Sequence, residues 1–386
     1  MFIQLKFIYR NKNIYFAYIF LYLLNEYILL IKKQILIIGP IPPPFGGVSI
    51  HIKRLSNLLK DDFDFDFIDE SREKKKEYPN IRGENFLLYL KKVKDSDLLY
   101  IHSGKNILRV LHIIVAKFFL KKVILTIHSY TKKIPRIVSF LISIVFRMAN
   151  TVIIVNSETK TQLILPERKY ILKEAFIPPD IESEPELPKY ILQWLLDNKI
   201  KGIPIICANA SKLETYDNVD LYGLDLCIEV TRRLLTQGIP IKFIFVVAST
   251  HKNRHQYLKT QTLIKALDLE DYFLLISERL SFVKVIQLSD IVLRPTNTDG
   301  DAITIREGLF LNKLVLASDV VKRPENVFLF RNRNIDDLES QLKNIIQLNC
   351  SADYHSVTCT NSTNELRNFY SQLIKNTFLQ KKYNER

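Results

Sequence analysis

Residues 291–309 read Ile291-Val-Leu-Arg-Pro-Thr-Asn-Thr-Asp-Gly-Asp-Ala-Ile-Thr-Ile-Arg-Glu-Gly-Leu309. Ile291 to Leu293 is an apolar run of the kind that forms a buried strand. It passes into a polar loop holding Asp299, Gly300 and Asp301, and a helix opens near Ile303 with Glu307 in its first turns. Carboxylates in such a loop accept hydrogen bonds from hydroxyl groups, and the unpaired N–H groups of a helix start attract phosphate. The element therefore suits a ligand that carries both sugar hydroxyls and phosphate.

Units of the same kind extend outward in both directions. Gln34–Ile38 is a short apolar run that ends at Gly39. A Pro/Gly loop follows to Gly47, and Val48–Lys60 has helical spacing. Further strands are predicted at Asp64–Ile68, Leu98–His102, Val123–His128 and Thr151–Asn156. Helical patterns lie at Asn85–Lys94, Ile107–Leu120 and Pro135–Met148. The segment IPPDIESEPELP (177–188) is rich in proline and acid and reads as a linker. After it the alternation resumes, with strands at Ile203–Ala208, Ile241–Ala248, Tyr272–Ile276, Ile291–Leu293 and Leu314–Ser318. Helices are expected near Gly223–Gln237, Gln256–Leu267 and Phe282–Leu288, with a last one at Thr363–Phe378. This order argues for α/β architecture, two doubly wound Rossmann-like domains with a ligand cleft between their carboxyl edges. The expected boundaries are 1–32, an apolar N-terminal segment; 33–178 and 179–350, the two domains; and 351–386, a tail and helix that packs back towards the first domain.

Composition narrows the function. The chain has 386 residues, 47% hydrophobic and 25% charged, and a formal net charge of +14. That is a globular protein of two-domain size whose basic excess favours anionic partners. No zinc finger, RRM signature or long basic run points to nucleic acid, so an anionic membrane surface or a diphosphate ligand is the expected partner. Cys207, Cys227, Cys350 and Cys359 show no metal-ligand spacing, which fits a reduced, cytoplasmic setting and no bound metal. The run IYFAYIFLYLL (14–24) follows Lys6, Arg10 and Lys12. It reads as an interfacial helix, a marginal membrane anchor or sequence upstream of the domain, with membrane association preferred.

Three further positions carry candidate chemistry. Gly46-Gly47 lets backbone approach a ligand in front of a helix N-terminus; the loop is neither GxGxxG nor a P-loop, which disfavours NAD and ATP-hydrolase readings. His128 ends a strand at the carboxyl edge, where it can donate to a hydroxyl or to developing charge, with His102 as its rival. Asp64-Phe65-Asp66 matches a metal-holding DxD formally, but alternation with phenylalanine reads as a solvated strand face.

These motifs resemble, over about Lys33 to Phe330, a retaining GT-B glycosyltransferase of family 4, the type that builds bacterial surface polysaccharides such as O-antigen or capsule. The resemblance rests on GPIPPPFGGVS with the HIKRL helix after it, LTIHS, IIVNSE, YGLDL and RPTNTDGDAITIREGLFLNKLVLASDV. The last matches the family's E-x7-E element, with Asp299 at the first acid and Glu307 at the second. It implies a catalytic pair of Asp299, facing the donor sugar, and His128, near the reacting centre. Gly300 and Asp301 would help hold that sugar, Glu307 the ribose, and Gly46 and Gly47 the diphosphate. It further implies a nucleotide-sugar as substrate with no cofactor, a lipid-linked saccharide acceptor, and a place at the inner face of the cell membrane. The chain departs from the family in two ways. The first acid is Asp, not Glu, and Tyr222 stands where a diphosphate-neutralising Lys is expected. Lys212, Arg294 or Arg306 could supply the missing charge. Without it, the protein would be a catalytically weak or inactive nucleotide-sugar binder.

Overall fold

A computed structural model describes residues 32–43, 46–83, 86–130, 134–250, 253–300, 302–350 and 363–380. The apolar segment before Lys32, Asp301 and Cys359 lie outside the described residues. The chain forms two compact units. One takes the chain up to Ile41, Leu55–Ala175 and the part from Arg367; the other takes Pro42–Arg54 and Phe176–Leu366.

The first unit is built from β1 (Gln34–Gly39), α1 (Gly47–Leu59, which begins in the second unit), β2 (Asp64–Asp69), α2 (Phe86–Asp95), β3 (Leu98–Ile101), α3 (Asn106–Phe118), β4 (Lys122–Ile127), α4 (Arg136–Phe146), β5 (Thr151–Ile154), α5 (Ser157–Thr161) and β6 (Tyr170–Leu172). Its strands form one parallel sheet in the order β2-β1-β3-β4-β5-β6. The central strands are continuous apolar runs because both of their faces are covered. On one face Leu36, Leu99, Leu125 and Val152 meet Val93 of α2, Ile113 and Ala116 of α3 and Phe146 of α4.

The second unit follows with α6 (Lys189–Ile200), β7 (Ile205–Ala210), the hairpin β8 (Thr215–Tyr216) and β9 (Val219–Asp220), α7 (Leu224–Thr236), β10 (Lys242–Val247), α8 (Arg254–Ala266), β11 (Phe273–Ile276), α9 (Phe282–Leu288), β12 (Ile291–Arg294), α10 (Ile303–Phe310), β13 (Leu314–Ser318), β14 (Phe328–Phe330) and α11 (Ile335–Cys350). Its parallel sheet runs β11-β10-β7-β12-β13-β14. Finally α12 (Thr363–Leu379) brings Tyr370, Ile374 and Thr377 into the first unit, where all three are buried. Thr377 Oγ1 lies 3.4 Å from Thr151 Oγ1 at the start of β5. Cys207 and Cys227 are buried free thiols, and burial pushes Cys207 up to about 12, so it acts as an inert core residue.

The acid- and proline-rich segment expected as a linker is docked rather than free. Ile177 is buried, Ser281 Oγ donates to Glu184 Oε2 at 2.9 Å, and Lys284 pairs with Glu186 at 3.0 Å. Charge and periodicity could not reveal this, because Ser281 and Lys284 lie 97 and 98 residues downstream of their partners.

Gly308 explains how α10 lies so close to its sheet. A Cβ there would sit 2.9 Å from Val315 Cγ2 and 3.0 Å from Val292 Cγ2, on β13 and β12. Gly308→Ala should therefore lower unfolding free energy by about 1–3 kcal/mol through overpacking, despite the better helix propensity of alanine. Urea melts with an unchanged m-value and a lower midpoint would show this; an unchanged or raised midpoint would contradict the packing.

Candidate functional site

The strand–loop–helix element 291–309 is the centre of a charged constellation on the second unit. β12 is flanked by β7 and β13, so Arg294 at its carboxyl end emerges beside Asn209 of β7. Asp299 receives donors from every side. Arg294 Nε reaches Oδ2 at 3.0 Å and Nη2 reaches Oδ1 at 3.2 Å; Arg323 Nη1 reaches Oδ2 at 3.1 Å. Thr296 Oγ1 and the Gly300 N–H add bonds of 3.0 Å each. Burial alone would raise the Asp299 carboxyl, but the two guanidinium groups outweigh it and hold it below the ordinary carboxylate value. Arg323 is itself buried and donates from Nε to the Ser318 carbonyl at 3.1 Å. Asp299 thus joins the end of β12, the loop before α10 and the segment after β13.

The surrounding groups order the two arginines. The Arg294 guanidinium lies over the Tyr222 ring at 5.4 Å, and Tyr222 Oη meets Ser211 Oγ at 2.7 Å. Asn209 Oδ1 accepts from Arg294 and, at 3.2 Å, from Thr304 Oγ1 of α10. Gly223 sits at φ +68 before α7, and a Cβ there would collide with the Pro295 carbonyl, so glycine is required. Tyr222 thereby serves as a platform for Arg294.

Glu307 points into the protein, not to solvent. It is 5% exposed and forms an ion pair with Arg54 Nη2, a residue of α1 that also donates from Nη1 to the Ile177 carbonyl at 3.1 Å. Burial raises the Glu307 carboxyl, Arg54 opposes this, and Glu184 adds to the rise, leaving it above its ordinary value.

The glycines expected to meet a diphosphate have open space beside them. A Cβ on Gly47 would meet nothing within 4 Å, and one on Gly46 would meet only Ser49 Oγ at 3.9 Å. Ser49 Oγ accepts from the Gly46 N–H at 2.8 Å and fixes the turn into α1. Packing among the described residues does not call for glycine here, whereas close approach of a ligand would. Lys212 instead pairs with Glu214 at 2.6 Å, both about half exposed, which is a solvated surface pair.

In the first unit His128 follows β4 and His102 follows β3, and adjacent strands bring them together. His102 Nδ1 lies 3.1 Å from His128 Nε2, with ring centroids 5.4 Å apart. The two residues treated as rivals in the sequence are one hydrogen-bonded pair. Behind them is a buried network: His112 Nε2 to Glu70 Oε1 at 2.9 Å, Tyr89 Oη to His112 Nδ1 at 2.8 Å, and Ser103 Oγ to Glu70 Oε1 at 2.7 Å. Burial lowers Arg109 to about 10 while Glu70 supports its charge. Asp66 pairs with Lys92, in keeping with a solvated strand face.

Gly46, Gly47, Arg294, Asp299, Gly300 and Glu307 therefore fall in one unit, and His128 in the other. Sequence reasoning missed Arg323 and Arg54. The only signal for either was the HIKRL motif containing Arg54. Asp299→Asn should cost about 3 kcal/mol, since two buried guanidinium groups lose their counter-charge. Because the folded-state value is depressed, wild-type protein keeps this contribution above pH 3.8 and loses it as pH falls through the lower folded value. Subtracting the pH–stability curve of the Asn variant from that of wild type should give a difference that shrinks only in this acid window. A pH-independent difference would show that the carboxylate charge is not what stabilises the loop.

No family model matches the chain, and no curated protein matches it in sequence. Solved structures do. A glycosyltransferase from Rickettsia africae ESF-5 superposes with TM-score 0.61 at 16% identity, over 90% of this chain and 94% of that one. Anabaena Alr3699/HepE, solved in complex with UDP and glucose, gives 0.60 at 15% identity over 90% and 100%. WaaG, a glycosyltransferase involved in lipopolysaccharide biosynthesis, gives 0.53 at 11% identity over 88% and 99%. The two parallel six-stranded α/β units are thus those of the GT-B glycosyltransferase fold.

Proposed function

We propose that this protein is a glycosyltransferase of the family 4 type, transferring a sugar from a nucleotide-sugar, with retention and without a metal, to a lipid-linked saccharide in surface polysaccharide biosynthesis at the inner membrane face. The observation that carries the reading is the β12–loop–α10 element, where Asp299, Gly300 and Glu307 lie among Arg294, Arg323 and Arg54 at the carboxyl end of a parallel strand. The likeness to HepE, itself solved with UDP and with UDP-glucose, supports a nucleotide-sugar donor.

In this reading the acceptor hydroxyl attacks the anomeric carbon as the bond to the diphosphate oxygen breaks, and its proton passes to the departing diphosphate. Negative charge develops on that leaving group, so cations are needed where it lies. Arg294 and Arg323 supply them in place of the family's Arg and Lys. Phosphate oxygens accept the same bidentate fork that Asp299 now receives, so the carboxylate pre-orders both guanidinium groups for the exchange. Gly46 and Gly47 admit the diphosphate, Glu307 holds the ribose, and His128, oriented by His102, donates to the sugar.

One observation favours a second reading, a nucleotide-sugar binder without turnover. Arg54, Arg294, Arg323 and Lys212 all carry a carboxylate partner. A thermal-shift screen against UDP-, GDP-, ADP- and CMP-sugars, followed by a hydrolysis and transfer assay with the stabilising sugar, separates the two. A ligand at about 100 times its Kd should stabilise by about 2.7 kcal/mol. Stabilisation with neither hydrolysis nor transfer would support the second reading, and no shift with any sugar would reject both.

Glu307 has a structural and a proposed donor role, which can be separated. Glu307→Ala should lower stability by about 3 kcal/mol because Arg54 stays buried without its partner. The double substitution Arg54→Met with Glu307→Gln should recover most of that stability while transfer remains lower by about a hundredfold. Recovery of transfer together with stability would remove Glu307 from the donor site.

A further inference from the structure

The helices α2, α3 and α4 cover one face of the first sheet, α3 packing against both neighbours. Their outward surfaces should then be polar, and on α3 and α4 they are the reverse. On α3, Ile107, Leu111, Ile114 and Phe118 recur at helical spacing on the solvent side, with Ile107 at 75% and Phe118 at 80% exposure. On α4 and the turn after it, Ile137, Leu141, Ile144 and Met148 repeat the pattern, with Ile137 at 76%. Phe86 and Leu87 continue it at the start of α2.

The inversion is sharpest on α4. Ser139 and Ser143 are turned inward, where they bond to Tyr130 Oη at 3.1 Å and to the Ile164 N–H at 3.3 Å, while the aliphatic side chains face out. A contiguous apolar face of this extent marks a contact surface. Its charge says with what. Between Phe86 and Asn150 the sequence has twelve Lys and Arg and two acids, against a net charge of +14 for the whole chain. Lys91, Lys94, Lys105 and Arg136 are exposed on these helices or at their starts.

We propose that the outer face of α2, α3 and α4 docks on an anionic lipid surface, its apolar side chains entering the headgroup–acyl boundary and its Lys and Arg lying among the lipid phosphates. This is the arrangement of an interfacial protein, apolar area for depth and basic residues for attraction. No helix among the described residues is long and apolar enough to cross a membrane, and this mode needs none. Because α2, α3 and α4 run antiparallel to their strands, their first turns share the sheet edge that carries His102 and His128. The inference rests on the proposed membrane-held acceptor for its purpose, and on the helices alone for its physics.

The test uses the full chain with vesicles of phosphatidylethanolamine containing about one quarter phosphatidylglycerol, and with phosphatidylcholine vesicles as control. Wild type should co-sediment with the anionic vesicles, less so in high salt, and only weakly with the control. The triple variant Ile107→Glu/Phe118→Glu/Leu141→Glu should lose at least about tenfold in partitioning. Its circular dichroism, melting temperature and thermal shift with nucleotide-sugars should be kept, since all three positions are exposed. Lys105→Glu/Arg136→Glu should remove part of the binding and most of its salt dependence. Three results would overturn the proposal: wild-type affinity in the triple variant, which assigns membrane binding to another surface; no vesicle binding by wild type; or a wild-type dimer that the triple variant dissociates, which assigns the face to a second copy. Vesicle binding that depends on this face, without transfer to any lipid-linked acceptor, would defeat the proposed activity and leave the surface standing.

Discussion

A carboxylate taken out of water is tolerable only when cations or directed donors replace its hydration. That demand organises the second unit around Asp299. Two arginines, a threonine hydroxyl and a backbone N–H converge on it; Arg294, Thr296 and Gly300 come from its own strand and loop, and Arg323 from the segment after β13. Through those bonds the loop after β12 gains a fixed shape, Arg294 is held over Tyr222, and the buried Arg323 gains a carboxylate partner. The same bonds keep cationic groups ready at the edge of a parallel sheet. Glu307 and Arg54 repeat the arrangement at the other end of α10, where the carboxyl is raised by burial and only partly compensated by its arginine. One helix thus begins beside a strongly ionised acid and encloses a second whose charge is costly.

The pairing of Tyr222 with Arg294 has a physical sense. A lysine ammonium at position 222 would be a mobile point charge, whereas Tyr222 offers a flat ring on which a guanidinium can rest. Lys212, the sole Lys or Arg of the loop between β7 and α7, pairs with Glu214 at the surface.

How far the fold could be read from sequence depended on burial. QILIIG and the strands around Leu98, Val123, Ile206 and Val315 are apolar without interruption because helices cover both faces, and such runs are visible without a structure. The short edge strands β6 (Tyr-Ile-Leu) and β14 (Phe-Leu-Phe) are apolar but only three residues long, and the hairpin β8–β9 has two-residue strands, too little for a pattern to show. Asp299 and Glu307 could be read because loop and helix sit side by side in sequence. Their cations could not: Arg323 lies 24 residues from Asp299, and Arg54 lies 253 residues from Glu307. The pairing of His102 with His128 is likewise a product of neighbouring strands, which no spacing along one strand can express.

The return of α12 to the first unit bears on how the chain is made. Tyr370, Ile374 and Thr377 are buried there, and Tyr370 lies close enough to the fully buried Tyr100 to raise its hydroxyl further. During synthesis β1 to β6 emerge early, yet Tyr370, Ile374 and Thr377, which their unit buries, follow only after the whole second unit. A domain completed only by distant residues folds late, at the cost of long-range contacts. The second unit, continuous from Phe176 to Leu366 apart from the short piece Pro42–Arg54, is therefore the one expected to reach its native core first on the ribosome.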